Sequence, residues 1–203
     1  MLRPIPFFIS SLFLFSSLVT ATGGGGGDGP GCSANPPDGK SKCWKDVMTL
    51  GWTVHGFDYH ASYIFTTPAH QNSYGYVNFN LTNNMVPYTA TCSATSGQLQ
   101  DFFYGTQWYP CTLPSTAPAG AAVSFRFNRP TGQLDLNETI ICGEDDKKTK
   151  TFYASGSTNL TLSCTDTTTV TPNWTLGSGQ FYSDREVKCT PVDATVRASQ
   201  IVA

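Results

Sequence analysis

Acid–base or metal chemistry in this 203-residue chain would have to come from few side chains: three histidines (His55, His60 and His70) and 14 acids. Asp58 lies between His55 and His60, and histidine with carboxylate is a metal-ligating combination. Positions 55 and 60 differ by an odd number, so on an unbroken strand they face opposite sides, and a shared zinc or copper ion would need a bulge between them. The expectation is therefore surface or hydrogen-bonded histidines, with no metal and no other cofactor. Glycoside hydrolysis needs two carboxyl groups ~5 to 9.5 Å apart across a cleft. Glu138 is the one acid on a predicted inward strand face, beside Leu136 and Ile140. Burial there would raise its pKa, but the favoured reading is that a bulge or an open barrel end lets it reach water. Residues 144–148, Glu-Asp-Asp-Lys-Lys, read as a solvated turn. The chain has no G-x-S-x-G nucleophile motif, and catalysis is not expected from it.

The seven cysteines, Cys32, Cys43, Cys92, Cys111, Cys142, Cys164 and Cys189, include no CxxC pair, so neither a zinc ribbon nor a thioredoxin-type redox site is indicated. Their use depends on compartment. A start bearing Arg3, an apolar stretch from Ile5 to Val19 and the small residues Thr20 and Ala21 together predict a cleaved secretory signal over residues 1–21. The stretch contains Ser10, Ser11, Ser16 and Ser17 and falls short of the ~20 apolar residues that span a bilayer, so a membrane anchor is not expected. An exported chain forms disulfides, and an odd number leaves one cysteine free or bonded to another chain. Four N-glycosylation acceptors, at Asn80, Asn137, Asn159 and Asn173, agree with export. The densest aromatic stretch comprises Phe102, Phe103, Tyr104, Trp108 and Tyr109. Filling the core beside a disulfide is the favoured reading; the alternative is an exposed site gripping a sugar face, a flat small molecule or a protein.

These residues must be positioned by strands. Val77, Phe79 and Leu81 alternate with Asn78, Asn80 and Thr82; Val123, Phe125 and Phe127 alternate with Ser124, Arg126 and Asn128. Leu160, Leu162 and Cys164 alternate with Asn159, Thr161 and Ser163, while Leu134, Leu136 and Ile140 share a face that sends Asn137 outward. Asn80, Asn137 and Asn159 thus fall on polar faces, where an attached glycan stays in solvent. Turn chemistry separates the runs, and Pro130-Thr131-Gly132 predicts a hairpin. Residues 22–42, with five consecutive glycines, predict a flexible leader, and residues 43–203 a single all-β domain of seven to ten strands, an antiparallel barrel or barrel-like sandwich. Only 13% of residues are charged, against roughly 25% in typical soluble domains. With 12 basic residues against 14 acids there is no basic excess for nucleic-acid binding.

The order of Cys43, Trp52, Phe57, the strand Val77-Asn78-Phe79-Asn80-Leu81, Ala90-Thr91-Cys92-Ser93-Ala94, Leu99, Trp108-Tyr109-Pro110-Cys111 and Val123-Ser124-Phe125-Arg126-Phe127 resembles the Alternaria major-allergen family of fungal secreted proteins. The resemblance covers roughly residues 43 to 190. It implies a cysteine-stapled antiparallel β-barrel, exported, often dimeric, that acts as an effector, elicitor or allergen rather than as an enzyme. It also implies pairing of Cys92 with Cys111 and of Cys164 with Cys189. Cys142 ends a predicted strand at an inward position and is expected to close on Cys32 or Cys43, the other bonding between chains or staying reactive. By the resemblance, Cys43 stands where the family's leading cysteine joins two subunits. The expected activity is surface recognition of a host plant extracellular protein or a small aromatic ligand. The alternatives are a carbohydrate-binding module for wall polysaccharide and, third, a small secreted hydrolase.

Overall fold

The computed structural model describes residues 47–143 and 149–203. After a 3₁₀ turn, Val47–Thr49, ten strands follow: β1 (Gly51–Thr67), β2 (His70–Asn83), β3 (Ala90–Ser96), β4 (Tyr109–Thr112), β5 (Ala122–Asn128), β6 (Gln133–Cys142), β7 (Lys150–Asn159), β8 (Cys164–Val170), β9 (Ser183–Cys189) and β10 (Val192–Val202). Neighbours run antiparallel in the order β10-β7-β6-β5-β4-β3-β2-β1-β9-β8, and β10 also pairs with β1. That last pairing closes eight strands into a ring, and β9 and β8 extend from it as a two-stranded leaf. Among the described residues no helix is long and apolar enough to cross a membrane.

Strand β1 serves both parts because it is long. Gly51–Phe57 pairs with β10, whereas His60–Phe65 pairs with β9. Between Val54 and Phe57 the register shifts against β10, and between His55 and Asp58 it shifts against β2. This bulge is built on Gly56, whose φ of 61° suits glycine and whose N–H donates to Asp193 Oδ1 at 2.7 Å. The extra residue resets the inward phase: Trp52 and Val54 are buried before it, and Phe57, Tyr59 and Ala61 after it. His55 and His60 therefore share the outer side. Their expected opposition on an unbroken strand is corrected by the bulge.

Alternation places the core as the sequence predicts in β2, β5 and β6, with Val77, Phe79, Phe125, Phe127, Leu134 and Leu136 all buried. Phe57 lies 5.4 Å from Phe79 and 4.9 Å from Phe127, and Phe79 meets Phe125 edge-on at 4.9 Å. Each fully buried ring contributes about 1.5–3 kcal/mol from apolar burial alone. The β5–β6 hairpin turns at Gly132, whose φ is 72° and where a Cβ would stand 2.4 Å from the Leu160 carbonyl oxygen.

The predicted strand through Leu160 and Leu162 does not form. Strand β7 ends opposite the first residue of β6, with Asn159 paired to Gln133, so the β6–β7 ladder cannot continue beyond it. Leu160 instead donates its N–H to the Gly132 carbonyl at 2.8 Å and buries its side chain, after which the chain crosses to β8.

Cys92 of β3 and Cys111 of β4 face each other in register and are bonded; Cys164 and Cys189 bond the first residue of β8 to the last of β9. Cys142 is also disulfide-bonded. Cys32 and Cys43, the signal segment 1–21, the leader 22–42 and the acidic–basic run 144–148 lie outside the described residues.

Candidate functional site

Strand β6 turns every second side chain inward, and Glu138 is one of them, only 4% exposed. Its Oε2 accepts from Trp52 Nε1 at 2.5 Å and from Asn83 Nδ2 at 2.7 Å. Trp52 and Asn83 face each other across β1 and β2, so this carboxyl ties one wall of the barrel to another. The expected route to water through a bulge or open end is corrected: β6 has no bulge at this point, and the carboxyl is sealed behind the indole and the amide. Desolvation raises the pKa of Glu138, opposed by the Trp52 and Asn83 donors, which favour the carboxylate. Burial pushes the nearby Tyr88 phenol up to about 12, with the Glu138 charge adding to the shift. No other acid is buried among the described residues, so two-carboxylate chemistry has no second member in the interior.

The histidines are occupied separately. His55 Nε2 lies 2.9 Å from Thr82 Oγ1, and His60 Nδ1 lies 3.1 Å from Asp58 Oδ2 with its ring against Tyr76. His70 is exposed at the start of β2. Among the described residues no group of three His, Cys, Asp or Glu side chains is placed to hold a metal ion.

The aromatic stretch divides between core and surface. Phe102 and Phe103 are fully buried, as the core-filling reading expects, which corrects the alternative that made them candidate recognition residues. Phe102 lies over Gly75, where any Cβ would come within 2.8 Å of its ring, and Phe103 meets Tyr59 and Tyr109 edge-on. Tyr104 is half-buried, and its hydroxyl accepts from the Gln100 and Asp101 amides at 2.6 and 3.0 Å, an interaction that shapes the loop. Tyr109 packs half-buried on Phe125. Trp108 alone of the five is exposed, at 37%. The Arg126 guanidinium lies 4.9 Å from the centroid of its ring, and Arg126 is held in turn by Asp135 at 2.7 Å.

Trp108 overlooks a groove on the outer face of β5, β6, β7 and β10. Its floor follows one cross-strand row: Pro110 opposite Ser124, Ser124 opposite Asn137, Asn137 opposite Ser155, and Ser155 opposite Gln200. Serine on either side of Asn137 keeps the middle of the row low. Tyr153, 58% exposed, rises at one flank, and Arg126 under Trp108 at the other. Two adjoining recesses result, of about 480 and 200 Å³, with Asn137 and Ser155 lining both. The larger falls within the roughly 300–1,000 Å³ of ordinary ligand clefts. Glu138 turns its carboxyl inward, away from the face on which Asn137 and Thr139 stand. Tyr153, Ser155 and Gln200 escape sequence reasoning; the outward serines of β5 and β7 are a signal, but only the register aligns them.

The other acceptor asparagines lie elsewhere. Asn80 is exposed on β2 and its Oδ1 accepts from Thr91 Oγ1 at 3.3 Å; Asn159 is exposed at the end of β7; Asn173 sits in the β8–β9 loop with φ 53°.

A family model described as Alternaria alternata allergen 1 matches residues 54–189. No curated protein and no solved structure matches the chain.

Proposed function

Since the chain belongs to the Alternaria alternata allergen 1 family, we propose that this allergen-like fungal protein is secreted and non-catalytic, and that it recognises a host plant extracellular protein through the groove across β5, β6, β7 and β10. The observation that carries the reading is the pairing of two exposed rings, Trp108 and Tyr153, with a polar floor between them. Exposed aromatics beside Arg and amide groups are the side chains that dominate recognition surfaces. The disulfides fit an oxidising compartment. Within this reading the biological role is that of an effector or elicitor.

One arrangement favours a second ligand class. Trp108 braced by Arg126, with Asp135, Asn137 and Ser157 around it, offers a flat apolar face beside hydrogen-bonding groups, the pattern that suits a sugar ring. The deciding experiment immobilises the mature protein and its Trp108→Ala/Tyr153→Ser variant and exposes both to host apoplastic extract, and in parallel to washed chitin, glucan and cellulose. A plant protein retained by the wild type and lost from the variant supports the groove as the recognition surface. Equal retention by both forms removes the groove from the mechanism, and retention on polysaccharide alone replaces the first reading with the second.

A further inference from the structure

We propose that the groove is filled, in the exported protein, by an N-linked glycan carried on its own Asn137. This rests on the proposed export of the chain but not on any partner. Asn137-Glu138-Thr139 is an acceptor sequence, and the strand alternation turns its two required side chains, Asn137 and Thr139, to the same outer face. Both line the larger recess, and Asn137 also lines the smaller one. The acceptor therefore stands at the junction of the two recesses rather than on a convex surface. Its cross-strand neighbours are both serine, which leaves lateral room for a pyranose ring where larger side chains would exclude it. Trp108 and Tyr153, at opposite flanks, offer their rings to the apolar faces of the first sugars. Ser124, Ser155 and Gln200 offer hydroxyl and amide groups to the sugar hydroxyls. Asn80 has no such surroundings: its neighbours across the sheet are His55 and Thr91, and its amide oxygen already accepts from Thr91.

The modification is a group transfer supplied by the exporting cell, with a lipid-linked oligosaccharyl pyrophosphate as donor. Asn137 Nδ2 forms a bond to C1 of the donor's reducing sugar, the C1–O bond to the pyrophosphate breaks, the lipid pyrophosphate leaves with the electron pair, and the amide gives up one proton. Nothing is oxidised or reduced. Once the strands close, the core sugars lie between Trp108 and Tyr153, and a partner that comes to this face meets those sugars.

The test uses the full chain secreted from a glycosylating yeast. Site occupancy is read by mass spectrometry, and release of each glycan from the folded protein by an endoglycosidase is followed over time. Asn137 is expected to be occupied and to be trimmed about tenfold more slowly than Asn80, the factor that a contact of roughly 1.4 kcal/mol imposes. In Trp108→Ala/Tyr153→Ser protein the Asn137 glycan is expected to be released as fast as that on Asn80. An unmodified Asn137 in protein whose Asn80 is modified overturns the proposal. So does release from Asn137 at the same rate with and without the two rings. Neither result depends on a plant partner being found, so failure here is distinguishable from failure of the recognition reading.

Discussion

Glu138→Gln removes one ionisable group from the barrel interior while keeping its size and an oxygen to accept from Trp52 and Asn83. The sign of the effect follows from linkage. Desolvation holds the folded-state pKa of Glu138 above its ordinary carboxylate value, so in the interval between the two the unfolded chain has released a proton that the folded chain still holds. The unfolded state then binds fewer protons, and stability falls as pH rises through this interval. The loss is absent below the ordinary carboxylate value and complete above the raised one. A full proton of difference changes stability by about 1.4 kcal/mol per pH unit, and for a domain of this size each kcal/mol moves Tm by roughly 2–4 °C. The glutamine variant lacks this term. Urea unfolding of both proteins, from about pH 3 to pH 8 so as to span the linkage interval, is expected to show the wild type losing ground to the variant as pH rises. Groups not coupled to Glu138 cancel in the difference, and Tyr88, which its charge does affect, titrates well above this range. A difference that stays constant across the range would refute the reasoning, because it would mean that Glu138 titrates alike in the folded and unfolded states.

Two further outcomes are expected. Gly132→Ala should destabilise the fold by about 1–3 kcal/mol, since the new methyl meets the Leu160 carbonyl and the residue must hold a left-handed conformation; thermal unfolding measures it. Replacing Cys92 and Cys111 together by serine should cost about 3 kcal/mol, the loop-closure value for a separation of 19 residues, read as a lowered urea midpoint with intact secondary structure.

Strands whose phase never breaks were legible in the sequence. In β5 and β6 a period of two assigned Phe125, Phe127, Leu134, Leu136 and Glu138 to the interior, because one buried face imposes that period on the residues themselves. The fate of Glu138 was less so: its donors Trp52 and Asn83 lie 86 and 55 residues away, and local pattern carries no information about them. In β1 the bulge at Gly56 inserts a residue and inverts the parity on which the facing of His55 and His60 was reckoned. Leu160 and Leu162 alternate because each second side chain packs inward, yet β6 has run out of backbone to pair with them. The burial of Phe102 depends on the missing side chain of Gly75, a complementarity between distant positions. The groove belongs to no segment at all, since its floor takes one residue from each of five strands.

The ring of strands is uneven around its circumference. Strand β6 pairs with β7 over ten residues, whereas β4 meets β3 over two and β5 over two. A hoop fails at its narrowest section, and here that section lies along β4, where Pro110 cannot donate to a ladder. The Cys92–Cys111 bond crosses this seam, so it works as a buckle: it sets the direction in which the barrel does not open. Trp108 immediately precedes β4 and moves with it. Reducing that single bond is therefore expected to slacken the Trp108 end of the groove before the rest of the barrel.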